Sequence, residues 1–402
     1  MKRAALLLHC DRFEGWFTQV LGFDREGYLH HYRNDFAWDY ALGLRENGIE
    51  PIIYIASLQH RGLYKTHDGF QVRFLPLASW YAVSCRLPYF KRFAIGTYLQ
   101  ELINAIAFID SLKAALQKDD ISVLYVQEYW TTRFDYLIEH LDIPIIGADH
   151  GGNDSLIIPA HKCRSLPKAY KLTCQTIEQV EKVKQFGGDA VLLPNGVDTE
   201  FYYPDSAVPR QERVILTVAR LTDRQKRTSD LIRALTYLDT SWRLEIVGIG
   251  TDGDRLRALA AELGVAERVM FLGFIQDKTK LRNRYQQCSV FALPSATEGL
   301  ALVTLEAMSC GTAVVTSDIP AFNMLVLDDI TGVKVPVGQP EALSKGILKC
   351  DLNRERYGQE ARQRVANSYS KRQLFARLAD LIQHCPESIA SSAVEFATPR
   401  SC

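Results

Sequence analysis

The chain has no surplus of charge: 47 lysines and arginines balance 47 aspartates and glutamates over 402 residues. A general nucleic-acid binder shows a strong basic excess, so no nucleic-acid partner is expected. No apolar run approaches the roughly 18–20 residues that a membrane-spanning helix needs. The N-terminal stretch MKRAALLLHCDRFEG meets charge at Asp11, Arg12 and Glu14 after a short apolar run. That run is too short for the core of a signal peptide and reads as a first buried strand. Paired cysteine spacing is also absent. The nine cysteines are odd in number, form no CxxC and stand at irregular intervals, and the nine histidines show no HxxxH or HExxH. A disulfide framework or a zinc site needs closer, paired spacing, so the thiols are expected to be free in a reducing cytoplasm, and no metal site is expected.

What is present is apolar material for full-sized cores, 47% of the residues, in a pattern that repeats along the chain. Short runs rich in Val, Ile and Leu fall at 4–9, 72–77, 123–126, 143–148, 172–174 and 190–193. A second series follows at 214–219, 244–247, 269–272, 290–293, 313–316 and 333–335. They lack polar alternation, as expected of parallel strands covered on both faces. Helix-period segments such as 228–238, 255–263 and 278–287 separate them. Repeated βαβα spacing predicts a doubly wound α/β architecture. The stretch YYPDSAVPRQER, with two prolines and no periodicity, reads as a linker. The expected organisation is therefore two Rossmann-like domains, 1–205 and 206–370, a helix at 371–385, and a Ser- and Ala-rich tail at 386–402 that is expected to be disordered.

Four segments could carry chemistry. In PSATEGLALVTLEAMSCG (294–311) a strand runs out into a polar turn and then a helix from about Leu302. Ligands of open α/β sheets sit at the carboxyl ends of strands, Gly299 would admit a close approach, and the first helical N–H groups near Leu302 and Val303 favour an anion such as a diphosphate. With Glu298 in the turn and Glu306 in the helix, both carboxylates can face one cleft. The same spacing also fits a surface turn with one capping and one solvated glutamate. In VARLTDRQKRTSD (218–230), Arg220 ends a strand and Lys226 precedes the next helix. The two cations could clamp a diphosphate, or belong to a solvated basic loop with Arg224 and Arg227. LEIVGIGTDGD holds a literal GxGxxG at Gly248, Gly250 and Gly253, but no acidic residue closes a second strand about twenty positions on, so NAD binding is disfavoured. Finally, IPIIGADHGGN sets His150 at the carboxyl end of a first-domain strand.

These residues, taken in order, resemble a known family. PNGVD (194–198), VARL with Lys226 at R-x5-K spacing, VMFLGF (269–274), Glu298 and Glu306 as an E-x7-E pair, and Thr331–Gly332 are similar to the retaining glycosyltransferases of family 4. The likeness is densest over 190–340. It implies the GT-B fold, in which two Rossmann-like domains face each other across a cleft and the C-terminal helix crosses back to the first domain. It implies roles as well. Glu298 would contact the donor sugar near the anomeric centre, with His150 close by as the first-domain catalytic histidine. Glu306 would hold the ribose hydroxyls, and Arg220 and Lys226 would neutralise the leaving diphosphate. Backbone amides of Gly299, Leu300, Ala301, Leu302 and Val303 would hold sugar and phosphate, and backbone groups around Ile275 would meet the base. No cofactor and no metal are implied, because cations and the helix dipole take that part. The chain departs from the pattern at Ala301, where Gly is usual, at Met324, where Glu is frequent, and after the first strand, where a Gly-Gly turn is missing.

The resemblance implies a transferase that moves a sugar from a nucleotide-diphosphate sugar to a glycan, a lipid-linked sugar or a small acceptor. A noncatalytic nucleotide-sugar binder or an epimerase on the same fold is the alternative. Residues 61–100 bear on the acceptor: Arg61, Lys65, Arg73, Arg86, Lys91 and Arg92 stand against Asp68 alone, with Trp80, Tyr81, Tyr89, Phe90, Phe93 and Tyr98 interleaved. Such a run suggests contact with an anionic membrane or a lipid-linked acceptor, and equally fits an acceptor loop over a core helix. The expected location is cytoplasmic, with the inner membrane face as its peripheral station.

Overall fold

A computed structural model describes residues 1–33, 36–84, 94–149 and 157–386, which form two compact units. Of the described residues, the first unit takes those up to 194 and those at 375–386, and the second those at 195–374.

The first unit is built on an eight-stranded sheet of β1 (Arg3–Leu7), β2 (Glu50–Ser57), β3 (Gly62–Lys65), β4 (Gln71–Pro76), β5 (Val123–Gln127), β6 (Ile145–Ala148), β7 (Lys171–Cys174) and β8 (Ala190–Leu192). Their order is β3-β4-β2-β1-β5-β6-β7-β8, parallel throughout except for β3 against β4. β1 and β5 are buried along nearly their whole length, which is why they show no alternation in the sequence. β2 and β3 are additions to the expected strand set. β3 is a short, half-exposed edge strand whose GLYK offers no apolar run. The chain returns to this unit with the C-terminal helix Lys371–Gln383. Phe375 packs edge-on against Tyr40, at 5.2 Å between ring centroids, and lies over Gly43, where a Cβ would sit 2.0 Å from its ring. Arg377 and Gln383 donate to the carbonyls of Leu192 and Asn47.

The basic and aromatic run at 61–100 is less uniform than its sequence suggested. Arg73 is buried, and its Nε donates to Asp119 at 2.8 Å, while the Tyr54 hydroxyl donates to the same carboxylate at 2.6 Å. A guanidinium taken out of water needs such a partner, so Arg73 belongs to the interior. Tyr81 is buried too. Arg61 and Lys65 are exposed. Arg86, Tyr89, Phe90, Lys91, Arg92 and Phe93 lie outside the described residues, as do His150 and the tail from 387 onward.

The second unit has six parallel strands: β9 (Val214–Val218), β10 (Arg243–Val247), β11 (Val269–Gly273), β12 (Val290–Leu293), β13 (Ala313–Ser317) and β14 (Gly332–Val335). Their order, β11-β10-β9-β12-β13-β14, reverses between β9 and β12. That reversal opens a crevice at the carboxyl ends of those two strands, where open α/β sheets bind ligands. The expected boundary near 205 moves to 194/195. Tyr202 is buried among Leu305, Met308 and Phe291, the Ser309 hydroxyl donates to the Tyr202 carbonyl at 2.6 Å, and the Gln211 N–H donates to Gln287 at 2.7 Å. Prolines there break periodicity without freeing the segment, because its apolar and backbone groups are satisfied by this unit.

Seven cysteines lie among the described residues, of which Cys174, Cys288, Cys310, Cys350 and Cys385 are buried. Burial pushes the Cys174 thiol up to about 11 and the Cys288 thiol up to about 12, so neither is a thiolate at neutral pH. No helix among the described residues is long and apolar enough to cross a membrane.

Candidate active site

The site grows from the two loops that flank the reversal in the second unit. After β9 the chain passes Arg220 and makes one helical turn, Asp223–Lys226. Arg227, in the left-handed conformation at φ 55°, ends that turn before helix Thr228–Ala234 begins. After β12 it makes the turn 294–300 and enters helix Leu302–Ser309. The loops are strapped together: the Ala296 N–H donates to the Gln225 carbonyl at 2.8 Å, and the Gln225 side-chain amide donates to the Thr297 carbonyl at 3.2 Å.

Between them sits an ion pair. Lys226 Nζ lies 2.6 and 2.9 Å from the two oxygens of Glu298, and the Ser295 hydroxyl donates to Oε1 at 2.6 Å. Both charged side chains are largely buried, so this contact is stronger than a surface pair. Arg220, by contrast, is exposed, and among the described residues it makes no ion pair. One cation thus fixes the carboxylate while the other faces solvent.

Glu306 is half-buried one turn into the helix. The Tyr285 hydroxyl donates to its Oε2 at 2.8 Å, and Tyr202 bonds to the same carboxylate. Burial pushes its pKa above the ordinary carboxylate value, against those hydroxyls and the charges of Lys278 and Lys371. Neither tyrosine was legible as a site residue. Tyr285 lies in another helix, and Tyr202 lies in the segment that reads as a linker. Ser295 was missed as well, although three residues before a turn glutamate is the spacing of a local hydroxyl–carboxylate bond.

The start of the 302–309 helix fits an anion. Its N-cap is Ala301, which has no side chain to cap the first turn. The Leu302 N–H donates to the Leu300 carbonyl at 3.0 Å, so that amide is engaged within the turn. A Cβ on Gly299 would meet nothing within 4 Å, which leaves its backbone approachable from outside. Ile275 is partly buried against the same apolar cluster as Leu300, Val303 and Ala301. In the first unit, Asp149 holds the carboxyl end of β6, receiving the Trp130 indole N–H at 3.1 Å and the Gln179 amide at 3.0 Å. His150 follows it in the chain, outside the described residues.

The GxGxxG glycines have a packing role. Gly248 has φ 135°, and a Cβ there would lie 1.9 Å from the Ala219 carbonyl oxygen; one on Gly250 would lie 2.5 Å from that of Leu221. They let the loop after β10 pack on the backbone of the loop that leads to Lys226. Gly248→Ala is expected to cost about 3 kcal/mol of stability, read as a lower urea midpoint with unchanged slope. A loss below about 1 kcal/mol would show that the loops can separate at little cost.

Residues 198–367 match the family model described as glycosyl transferases group 1. Over that segment, less than half of its length, the chain is similar to that family. The match takes in the ion pair, Glu306 and the helix between them. A phosphatidyl-myo-inositol mannosyltransferase of Mycobacterium tuberculosis is 32% identical over 228 residues, covering 53% of this chain and 58% of that protein. An N-acetylgalactosaminyltransferase of Campylobacter jejuni, whose name gives a diphospho-undecaprenol acceptor, is 34% identical over 180 residues, 43% of this chain and 48% of that one. The chain thus matches about half the length of these curated relatives. Among solved structures, sucrose-phosphate synthase from Thermosynechococcus elongatus superposes with a TM-score of 0.70 at 18% identity, over 95% of this chain and 98% of that one. At that identity the likeness establishes the fold: two Rossmann-like units of the GT-B type.

Proposed function

We propose that the protein is a retaining glycosyltransferase that moves a sugar from a nucleotide-diphosphate sugar to a glycan, lipid-linked or small acceptor. The observation that carries this reading is the Lys226–Glu298 pair at the sheet reversal, beside an uncapped helix start and the free guanidinium of Arg220. In the reaction the anomeric C–O bond to the diphosphate breaks, an acceptor oxygen bonds to that carbon, and the acceptor's proton departs. Positive charge grows on the sugar ring and negative charge on the leaving diphosphate. Arg220 and Lys226 face that negative charge, together with amides of the helix start. The arriving diphosphate draws Lys226 away from Glu298, and the freed carboxylate then meets the sugar. Glu306 holds the ribose. No resident cofactor or metal has a step in this scheme.

The acceptor we favour is lipid-linked, presented at an anionic membrane face. Support comes from the named acceptors of the matched relatives and from the basic run around 86–92. The test is turnover of UDP-, GDP- and ADP-hexoses with the anomeric configuration of the product read by proton NMR. One donor class should release its diphosphate with retention. Conversion of one nucleotide sugar into another without an acceptor would mark an epimerase, and binding without turnover a noncatalytic protein.

A further inference from the structure

The helix Ala94–Lys118 of the first unit presents two unlike halves to solvent. Ile95, Leu99, Ile103 and Ile106 are all exposed, Ile95 by 60% and Leu99 by 50%. At 100° per residue they fall within a sector of about 80°. The same sector continues toward the C-terminus as Asp110, Lys113 and Gln117, also exposed. The opposite face, with Phe108, Leu112 and Ala115, is buried in the core. An ordinary amphipathic helix carries polar residues along the whole of its solvent side. Here the polar side is replaced by large aliphatics for three turns, about 16 Å, and then resumes.

Two neighbouring segments bonded to this helix also expose large apolar side chains. The Ala78 N–H donates to the Ala107 carbonyl, and Asn104 donates to the Tyr81 hydroxyl and to the Asp11 carbonyl. These bonds hold the short helix Tyr81–Ser84 and the loop after β1 against the 94–118 helix. From them Trp80, Val83 (64% exposed) and Trp16 reach solvent. A stripe of exposed aliphatics on one helix, with further exposed apolar side chains on the segments bonded to that helix, marks an interaction site.

We infer that this patch is a membrane-docking surface, which seats at the headgroup–acyl boundary of an anionic bilayer. Three observations favour a bilayer over a second copy of the chain. A stable dimer interface takes about 20–30 residues a side, far more than this stripe and its flanking side chains. Tryptophan beside aliphatics is the composition that partitions into the membrane interface. The sequence from Ser84 to Gln100 contains Arg86, Lys91 and Arg92 and no acid, which suits anionic headgroups next to the stripe along the chain. The inference rests on the reading of the protein as a transferase with a lipid-linked acceptor, and it names the surface that brings the enzyme to that acceptor.

The experiment is flotation of the full chain with phosphatidylcholine vesicles and with vesicles containing phosphatidylglycerol. The wild type should float with the anionic vesicles. Leu99→Asp combined with Ile103→Asp should lower the partition coefficient at least tenfold, while Gln117→Asp, which adds charge below the stripe, should leave it within twofold. Equal loss in both variants would reduce the effect to general electrostatics and overturn the proposal. So would a wild type that floats with neither vesicle, or one that forms a dimer lost in the Leu99→Asp/Ile103→Asp variant. Nucleoside-diphosphate binding, measured on the same samples, separates the two readings. Binding without flotation defeats the docking surface alone, and flotation without binding defeats the transferase reading.

Discussion

Glu298→Gln loses transfer activity by a factor of about 100 to 1,000 in kcat/KM, and it binds free nucleoside diphosphate more tightly than the wild type. The first effect follows from removing a charge that, in the proposed reaction, faces the growing positive charge of the sugar, a change worth roughly 3–4 kcal/mol in a preorganised site. The second follows from the ion pair. In the resting site Lys226 is held by both oxygens of Glu298, and a diphosphate has to compete for it. Glutamine keeps an acceptor for the Ser295 hydroxyl but releases the lysine. Affinity for the diphosphate should then rise by up to about tenfold, the equivalent of 1.4 kcal/mol. Isothermal titration with the product nucleotide reads this directly. Unchanged turnover, or weaker product binding, would remove Glu298 from the role assigned to it. Lys226→Ala should behave oppositely: it leaves the glutamate largely buried without its counter-ion, and stability falls by about 3 kcal/mol.

Glu306→Gln should make the protein more stable at neutral pH while weakening donor binding. The carboxyl of Glu306 is raised above its ordinary value by burial. The folded state therefore holds the proton more tightly than the unfolded chain. Stability falls as pH climbs from the ordinary carboxylate value through the raised one, and stays reduced above it. At pH 7 the ionised carboxylate is thus a standing cost, which glutamine removes while still accepting from the Tyr285 hydroxyl. Each kcal/mol regained should lift the melting temperature by roughly 2–4 °C. The difference between variant and wild type should close as pH falls below the ordinary carboxylate value. Loss of the charged hydrogen bond proposed between Glu306 and the ribose should weaken the donor about tenfold to a hundredfold. A melting temperature that drops at pH 7 would contradict this account. A site that retains a destabilising charge is consistent with a residue kept for binding rather than for the fold.

The sequence was most informative where local pattern and tertiary role coincide. Runs such as VILTV and VFAL are strands because both faces of their sheets are covered, and no distant partner is needed to see it. The turn 294–301 was legible as the link between a strand and a helix start because an apolar run, a glycine and a helix-period segment follow one another there. It was less informative where the partner is remote. Arg73 reads as a surface cation until Asp119, 46 residues on, is seen to bury it. The stretch 202–213 reads as a linker because prolines hide the fact that Tyr202 inserts beside Glu306. The Lys226–Glu298 contact joins residues 72 apart, and only the reversal of strand order between β9 and β12 sets their loops side by side. The GxGxxG glycines mimic a nucleotide fingerprint, although a Cβ on Gly248 or Gly250 would meet first the carbonyl of Ala219 or Leu221.

The most direct measurement is a thermal-shift panel with UDP, GDP, ADP and NAD on the wild type and on Arg220→Ala. At about 100 times its dissociation constant, a ligand adds roughly 2.7 kcal/mol, several degrees for a protein of this size. The account predicts that one diphosphate raises the melting temperature, that NAD does not, and that Arg220→Ala abolishes the shift. A shift with NAD alone, or none with any diphosphate, would contradict it.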